Sequence, residues 1–148
     1  MPWHIPSDLK QFKARTKNRV MIMGRKTFQS LPGILPGRPH IIITHKNETQ
    51  AAKPDVYWAQ DIQSALDTAA DIIASEQREK EIMIIGGATI FSQIEEFATE
   101  LHITHIDLAP EGDVFWQFDQ AAWKCVKETG NVQEKGDSAA YCVKTYQR

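Results

Sequence analysis

Apolar positions along the chain fall into short runs separated by amphipathic stretches. Val20-Met-Ile-Met23, Ile41-Ile-Ile43 and Ile82-Met-Ile-Ile85 are runs of three or four apolar residues. Each is too short for a core helix and is closed by polar residues or glycine, so each reads as a strand, Ile82–Ile85 as one buried on both faces. Asp55–Ala59 reads as a further short strand and Leu101–Ile106 as another. Helical spacing lies in between. From Asp61 to about Glu76, Ile62, Ala65, Leu66, Ala69, Ile72 and Ile73 share one face at a 3.6-residue period, which predicts a core-facing helix. Shorter helices are predicted from Asp8 to about Lys17, capped near Ser7, from about Arg25 to Leu31, and after Gly87, where Ile90, Phe91 and Ile94 fall on one side. Beyond Pro110-Glu-Gly-Asp113 the alternation stops. Trp123–Lys127 and Ala139–Tyr146 flank the polar Gly130–Asp137 segment as an antiparallel hairpin. The expected fold is α/β: a mostly parallel central sheet flanked by helices, with a C-terminal antiparallel hairpin, in a single domain over residues 1–148.

Two junctions in this pattern carry chemistry. Ile82–Ile85 runs through Gly86-Gly87 straight into a helix, and glycine lets backbone amides approach a ligand closely. A plain tight turn explains Gly-Gly equally well. The second junction, Gly24-Arg25-Lys26-Thr27, sets two cations where a helix begins. There they oppose the macrodipole at about 0.3–1 kcal/mol each, and a bound phosphate would offset that cost. The spacing is not that of a Walker loop. Two glycine-broken strand ends suit a dinucleotide lying across a parallel sheet. The polar end Thr44-His45-Lys46 of the next strand suits a 2′-phosphate, hence NADPH, or is a solvated strand end.

Asp8 lies one helical turn before Phe12, setting a carboxylate beside an aromatic ring. It reads either as a first-turn acid favoured by the dipole or as an anchor for an amidine-like ligand edge. A net charge of −2 gives no basic field, so neither nucleic acid nor an anionic membrane is the expected partner. No apolar run approaches a membrane span. Two cysteines, Cys125 and Cys142, fit a reducing cytoplasm; a symmetric hairpin would set them nearly opposite each other, with free thiols the default. His102 and His105 fall on opposite faces of one strand and the other histidines lack ligand spacing, so no metal is expected.

These residues together resemble the bacterial dihydrofolate reductase family. The likeness rests on Met1-Pro-Trp-His-Ile-Pro-Ser-Asp8-Leu-x-x-Phe12-Lys, Ile22-Met-Gly-Arg-Lys-Thr27, Leu35-Pro-Gly-Arg38, Ile84-Ile-Gly-Gly-Ala88, and Thr104-His-Ile-Asp107 with Glu111-Gly-Asp113. The motifs occur in the family's order from end to end of the chain. The resemblance implies reduction of dihydrofolate by NADPH, with hydride delivered to pterin C6 and N5 protonated by way of water. Asp8, Trp3 and Thr104 would then serve the reaction, Asp8 holding the amino edge of the pterin with Thr104 steadying it. Ile5, Leu9, Phe12, Leu31 and Ile85 would contact the substrate, and Arg38 would pair with the carboxylate of its glutamate tail. Gly24, Arg25, Lys26, Thr27, Thr44, His45, Gly86, Gly87, Ala88, Thr89, Ile90 and Phe91 would hold NADPH, with a cis peptide at Gly86-Gly87.

A monomer that binds only small molecules is implied. Phe91 stands where the family often has tyrosine, and Trp116-Gln117-Phe118 replaces its usual Phe-Pro. The family also carries a buried strand and most of an active-site loop ahead of the segment that begins here at Met1. The expectation is therefore a longer reading frame or a truncated product, the latter folding weakly with little turnover. A non-catalytic folate- or NADP-binding fragment, or an NADPH-dependent pyrimidine reductase, are the alternatives.

Overall fold

A computed structural model describes residues 1–46 and 52–148. The chain divides into two compact units, residues 16–94 and residues 1–15 with 95–148.

In residues 16–94 the apolar runs become a parallel sheet. Its strands are β1 (Val20–Gly24), β2 (His40–Ile43), β3 (Val56–Ala59) and β4 (Ile82–Gly86), in the order β3-β2-β1-β4. Every neighbouring pair is parallel. Val20 to Met23 are fully buried because β1 lies inside the sheet with strands on both sides. β4 is different: its four apolar residues are only half-buried, which corrects the expectation of a strand covered on both faces. A continuous apolar run identifies a strand but not its rank in the sheet, and β4 is the outermost of the described strands on its side of β1.

Three helices accompany these strands: α2 (Arg25–Ser30), α3 (Ile62–Glu76) and α4 (Ala88–Ile94). α2 stops one residue short of Leu31, whose backbone is extended because Pro32 follows. Asp61 caps α3 in a reciprocal box with Ser64. The predicted stripe of α3 is the packed one: Ala65, Ala69 and Ile72 are buried in one cluster with Val20, Ile22, Ile41, Ile43, Ala59 and Ile90. Ile62, Leu66 and Ile73 pack against it.

The other unit begins with α1 (Pro6–Thr16), most of which lies in residues 6–15. Proline is well placed in a first turn, where its missing N–H is no loss. The helix therefore starts ahead of Ser7, which is inside it rather than its cap. The strands β5 (Glu100–Ile106), β6 (Lys124–Glu128) and β7 (Tyr141–Gln147) form a separate antiparallel sheet in the order β5-β7-β6. The described strands thus make a parallel sheet and a separate antiparallel sheet, in keeping with the predicted α/β fold with its C-terminal hairpin, which β5 joins at β7. The cysteines do not face each other across the hairpin: Cys125 pairs with Tyr146, and Cys142 with His105 of β5. A bulge between Cys125 and Lys127 and a bridge from Val132 to Tyr141 make the connection asymmetric, and both thiols are free. No helix among the described residues is long and apolar enough to cross a membrane.

Candidate active site

Within residues 16–94 the chain runs outward from β1 to β2 and β3, then returns through α3 to β4 on the other side of β1. Strand order reverses at that point, and in parallel sheets ligands bind at the carboxyl ends of the strands flanking such a reversal. Both glycine junctions lie there, with Met23 paired to Gly86. Gly24 precedes α2 in extended conformation and supplies no side-chain cap. A Cβ on Gly24 would come within 3.3 Å of Ile90 Cγ1 and 3.9 Å of Gly86 O, so the two turns abut. Gly86 has φ +126°, which favours glycine, and the Gly86-Gly87 peptide is cis. A Cβ there would touch Thr27 Oγ1 and the Phe91 ring, both at 3.6 Å. Phe91 N donates to Gly87 O at 3.0 Å, so α4 begins on the second glycine.

The structure thus brings Gly24, Thr27, Gly86, Gly87, Ile90 and Phe91 together. Ala88 opens α4 and is half-buried, as is Ile85; Thr89 is exposed. Arg25 and Lys26 occupy the first turn of α2, which holds no acid. Thr44 and His45 follow β2, whose last residue Ile43 pairs with Gly24. Lys46 N donates to Thr44 Oγ1 at 3.3 Å.

Leu31 and Arg38 border the Pro/Gly loop. Arg38 is buried, donating from Nε to Pro36 O at 3.2 Å and from Nη1 to Thr16 Oγ1 at 3.1 Å. Burial lowers its pKa. His40 lies just beyond, fully buried, with Phe28 edge-on to its ring. Its Nε2 accepts from Leu35 N at 3.1 Å, which fixes the near side of the loop. Burial, together with the charge of Arg38, pulls the His40 pKa down against the carbonyls of Arg38 and Asp55 and the Asp55 charge. The sequence reading found no role for His40, because nothing local marks a histidine as the support of a loop five residues earlier.

In the other unit the predicted carboxylate meets its predicted partner. Asp8 stands in the first turn of α1, and Thr104 Oγ1 on β5 donates to its Oδ1 at 2.8 Å. Ile5 is buried with Tyr141 and Val143, and Trp3 packs against them. Phe12 is half-buried and Leu9 is 53 % exposed. The polar residues that hold α1 went unforeseen. Ser7 N and Oγ both donate to the Asp137 carboxylate, at 3.1 and 2.5 Å, and Tyr141 and Gln11 join them. His102 bonds Glu100 Oε1 and Thr145 Oγ1, and no cluster among the described residues could hold a metal ion.

An acid at a helix start held by a strand threonine, and paired glycine turns at a strand-order reversal, are the parts the sequence motifs had marked. The family model described as dihydrofolate reductase matches residues 1–148. The chain belongs to the dihydrofolate reductase family. Among its relatives, the dihydrofolate reductase of Neisseria meningitidis serogroup A is 41 % identical over 144 residues, which is 95 % of this chain and 83 % of that protein. That of Buchnera aphidicola from Schizaphis graminum is 36 % identical over 151 aligned positions, covering 100 % and 88 %. The solved dihydrofolate reductase of Enterococcus faecalis, complexed with NADP(H) and RAB-propyl, superposes with a TM-score of 0.86 at 29 % identity, over 100 % of this chain and 84 % of that one. Membership of the family replaces the pyrimidine-reductase alternative. The match across residues 1–148 lends no support to the expected truncation.

Proposed function

We propose that the chain reduces 7,8-dihydrofolate to 5,6,7,8-tetrahydrofolate with NADPH. The observation that carries this reading is the 2.8 Å bond from Thr104 to Asp8 Oδ1 at the head of α1. It fixes one carboxylate oxygen and directs the other, so that the pair can accept two parallel N–H bonds from the amino edge of a pterin. Ile5, Leu9 and Phe12 take the contacts with the flat ring that the family likeness assigns them, and Trp3 its part in the reaction. In residues 16–94, Leu31 and Ile85 take the substrate contacts the family likeness assigns them, and Arg38 the glutamate carboxylate.

The glycine turns fit a dinucleotide. A side chain at Gly24 would press on Ile90 and one at Gly86 would touch Thr27 and Phe91, so the two turns stay close together only with glycine at both positions. Gly24, Arg25, Lys26 and Thr27, with Thr44 and His45, take the phosphates. Gly86, Gly87, Ala88, Thr89, Ile90 and Phe91 take the remainder. Bound NADPH supplies the hydride for pterin C6. Asp8 acts through charge and orientation, while N5 receives its proton from water because the carboxylate is engaged on the amino edge. The protein works as a monomer in the cytoplasm; the free thiols suit that reducing compartment.

Replacing Asp8 by Asn tests the reading. Dihydrofolate turnover is expected to fall on the order of 100-fold or more while NADPH affinity stays within about twofold. Undiminished turnover would remove Asp8 from its role. A second reading, ligand binding without reduction, draws on β4 and β5 each pairing with one neighbour among the described residues. Calorimetric binding of dihydrofolate and NADPH with no consumption of NADPH selects it.

A further inference from the structure

We infer that Asp137 is a positioning residue for Asp8, setting the first turn of α1 through Ser7. The inference rests on the reading of Asp8 as the substrate anchor.

The donors in the α1 network can be assigned one by one. Ser7 has a single O–H, and at 2.5 Å it is spent on Asp137 Oδ2. In the 2.7 Å contact between Ser7 Oγ and Tyr141 OH, the tyrosine must therefore donate. Its oxygen then accepts from Gln11 Nε2 at 2.9 Å, and Gln11 Oε1 accepts from Arg15 Nη2 at 3.1 Å. All four donors point the same way, from Arg15 to Asp137. The carboxylate at the end also takes Ser7 N at 3.1 Å and Glu134 N at 2.9 Å. Ser7 N donates to one oxygen of Asp137 and Ser7 Oγ and Glu134 N to the other, so both oxygens must accept, as those of an ionised carboxylate do and the oxygen and NH2 of an amide cannot. Burial raises the pKa of Asp137, but the bonds from the Ser7 hydroxyl, the Glu134 and Ser7 amides and the His4 charge outweigh it and hold the group below the ordinary carboxylate range.

Placement explains why this matters for Asp8. Ser7, Gln11 and Arg15 recur every four residues, so they make one face of α1, while Asp8 and Phe12 lie one position round on the next. Ser7 and Tyr141 are buried, and Asp137 is 8 % exposed. Tyr141 is paired across the ladder with Ile106, and Thr104 with Val143, so the strands that hold Ser7 also carry the threonine bonded to Asp8. A shift of the first turn that strains the Ser7 bonds moves the adjacent Asp8 away from Thr104. A small displacement of a substrate anchor costs far more in kcat/KM than in stability. Asp137 is also well placed for the charge at a helix start.

The test compares wild type with Asp137→Ala, Asp137→Asn and Ser7→Ala in steady-state assays with dihydrofolate and NADPH, alongside thermal melts. Asp137→Ala is expected to raise the dihydrofolate KM about tenfold, with a smaller fall in kcat and an NADPH KM within about twofold. Asp137→Asn keeps one acceptor for Ser7 N and recovers part of the loss. Ser7→Ala keeps the backbone bond and shows a weaker shift in the same direction.

An Asp137→Ala enzyme of lower Tm but wild-type dihydrofolate KM would make Asp137 a cap and nothing more, overturning the inference. If that variant does not fold, an unchanged KM in Ser7→Ala overturns it. A wild type that binds dihydrofolate without turnover fails the proposed activity instead, and the same series is then read in Kd. A wild type that binds no dihydrofolate removes the anchor and the inference with it.

Discussion

The two units of this chain are held by different forces. Residues 16–94 rest on apolar burial: nine buried side chains from three strands and two helices form one cluster, with six more packed on it. The unit of residues 1–15 and 95–148 has a cluster of three buried residues, Ile5, Tyr141 and Val143, with Trp3, Ile106 and Val132 against it. Its strand β6 is exposed throughout. What a larger core would do there is done by the polar chain from Arg15 to Asp137. Apolar burial is non-directional and tolerates small shifts, whereas a hydrogen-bond chain fixes atoms. The proposed carboxylate anchor stands in the directional half and the glycine turns in the packed half. Orientation of one side chain needs the first kind of support, and a backbone cradle needs the second.

The contrast can be broken at graded points. Ile41→Ala removes a fully buried side chain from the parallel sheet and is expected to cost about 2–5 kcal/mol. Urea melts would give the size, and amide exchange should place the loss first in β1 to β4. Tyr141→Phe deletes a single oxygen, yet strands the Ser7 acceptor and the Gln11 donor in a buried setting, at about 1–3 kcal/mol. A loss under about 0.3 kcal/mol would show that the polar chain does not replace a core.

A pH titration probes the packed half. His40 has its pKa lowered from 6.5 in the fold, so the unfolded chain binds more protons just below that value. Stability is full above about pH 6.5 and declines as pH falls below it. Because His102 is lowered as well, mainly by burial, the measurement is the difference between wild type and His40→Gln, which should lose part of the slope. An identical slope in the two would acquit His40. The smallest effect belongs to the surface: Arg19 meets Glu81 at 2.7 Å, but Glu81 is 67 % exposed, so Glu81→Ala should cost about 0.2–1 kcal/mol and fade in salt.

Particular residues show which parts of this arrangement were legible. The α3 stripe was, since a 3.6-residue period is written along one segment and burial follows it. So were the two glycine turns, because strand end, glycine and helix start occur within ten residues of one another, and the acid at the start of α1, one helical turn before Phe12. The outer rank of β4 among the described strands was not, nor the joining of β5 to the hairpin at β7; those depend on which strands pair, which short apolar runs do not encode. The register that sets Cys125 opposite Tyr146 and Cys142 opposite His105 was not legible for the same reason, as one bulge shifts a register. Asp137 figures in the sequence only as the end of the polar Gly130–Asp137 segment, and nothing near it marks a partner 130 residues earlier.

The sequence by itself determined the elements, the glycine junctions and the presence of an acid at the start of α1, because each is a local consequence of side-chain type and spacing. The tertiary structure alone decided which strands are neighbours and which distant carboxylate fixes the head of α1. Those are matters of long-range pairing, where the free energy comes from contacts that exist only once the chain has folded.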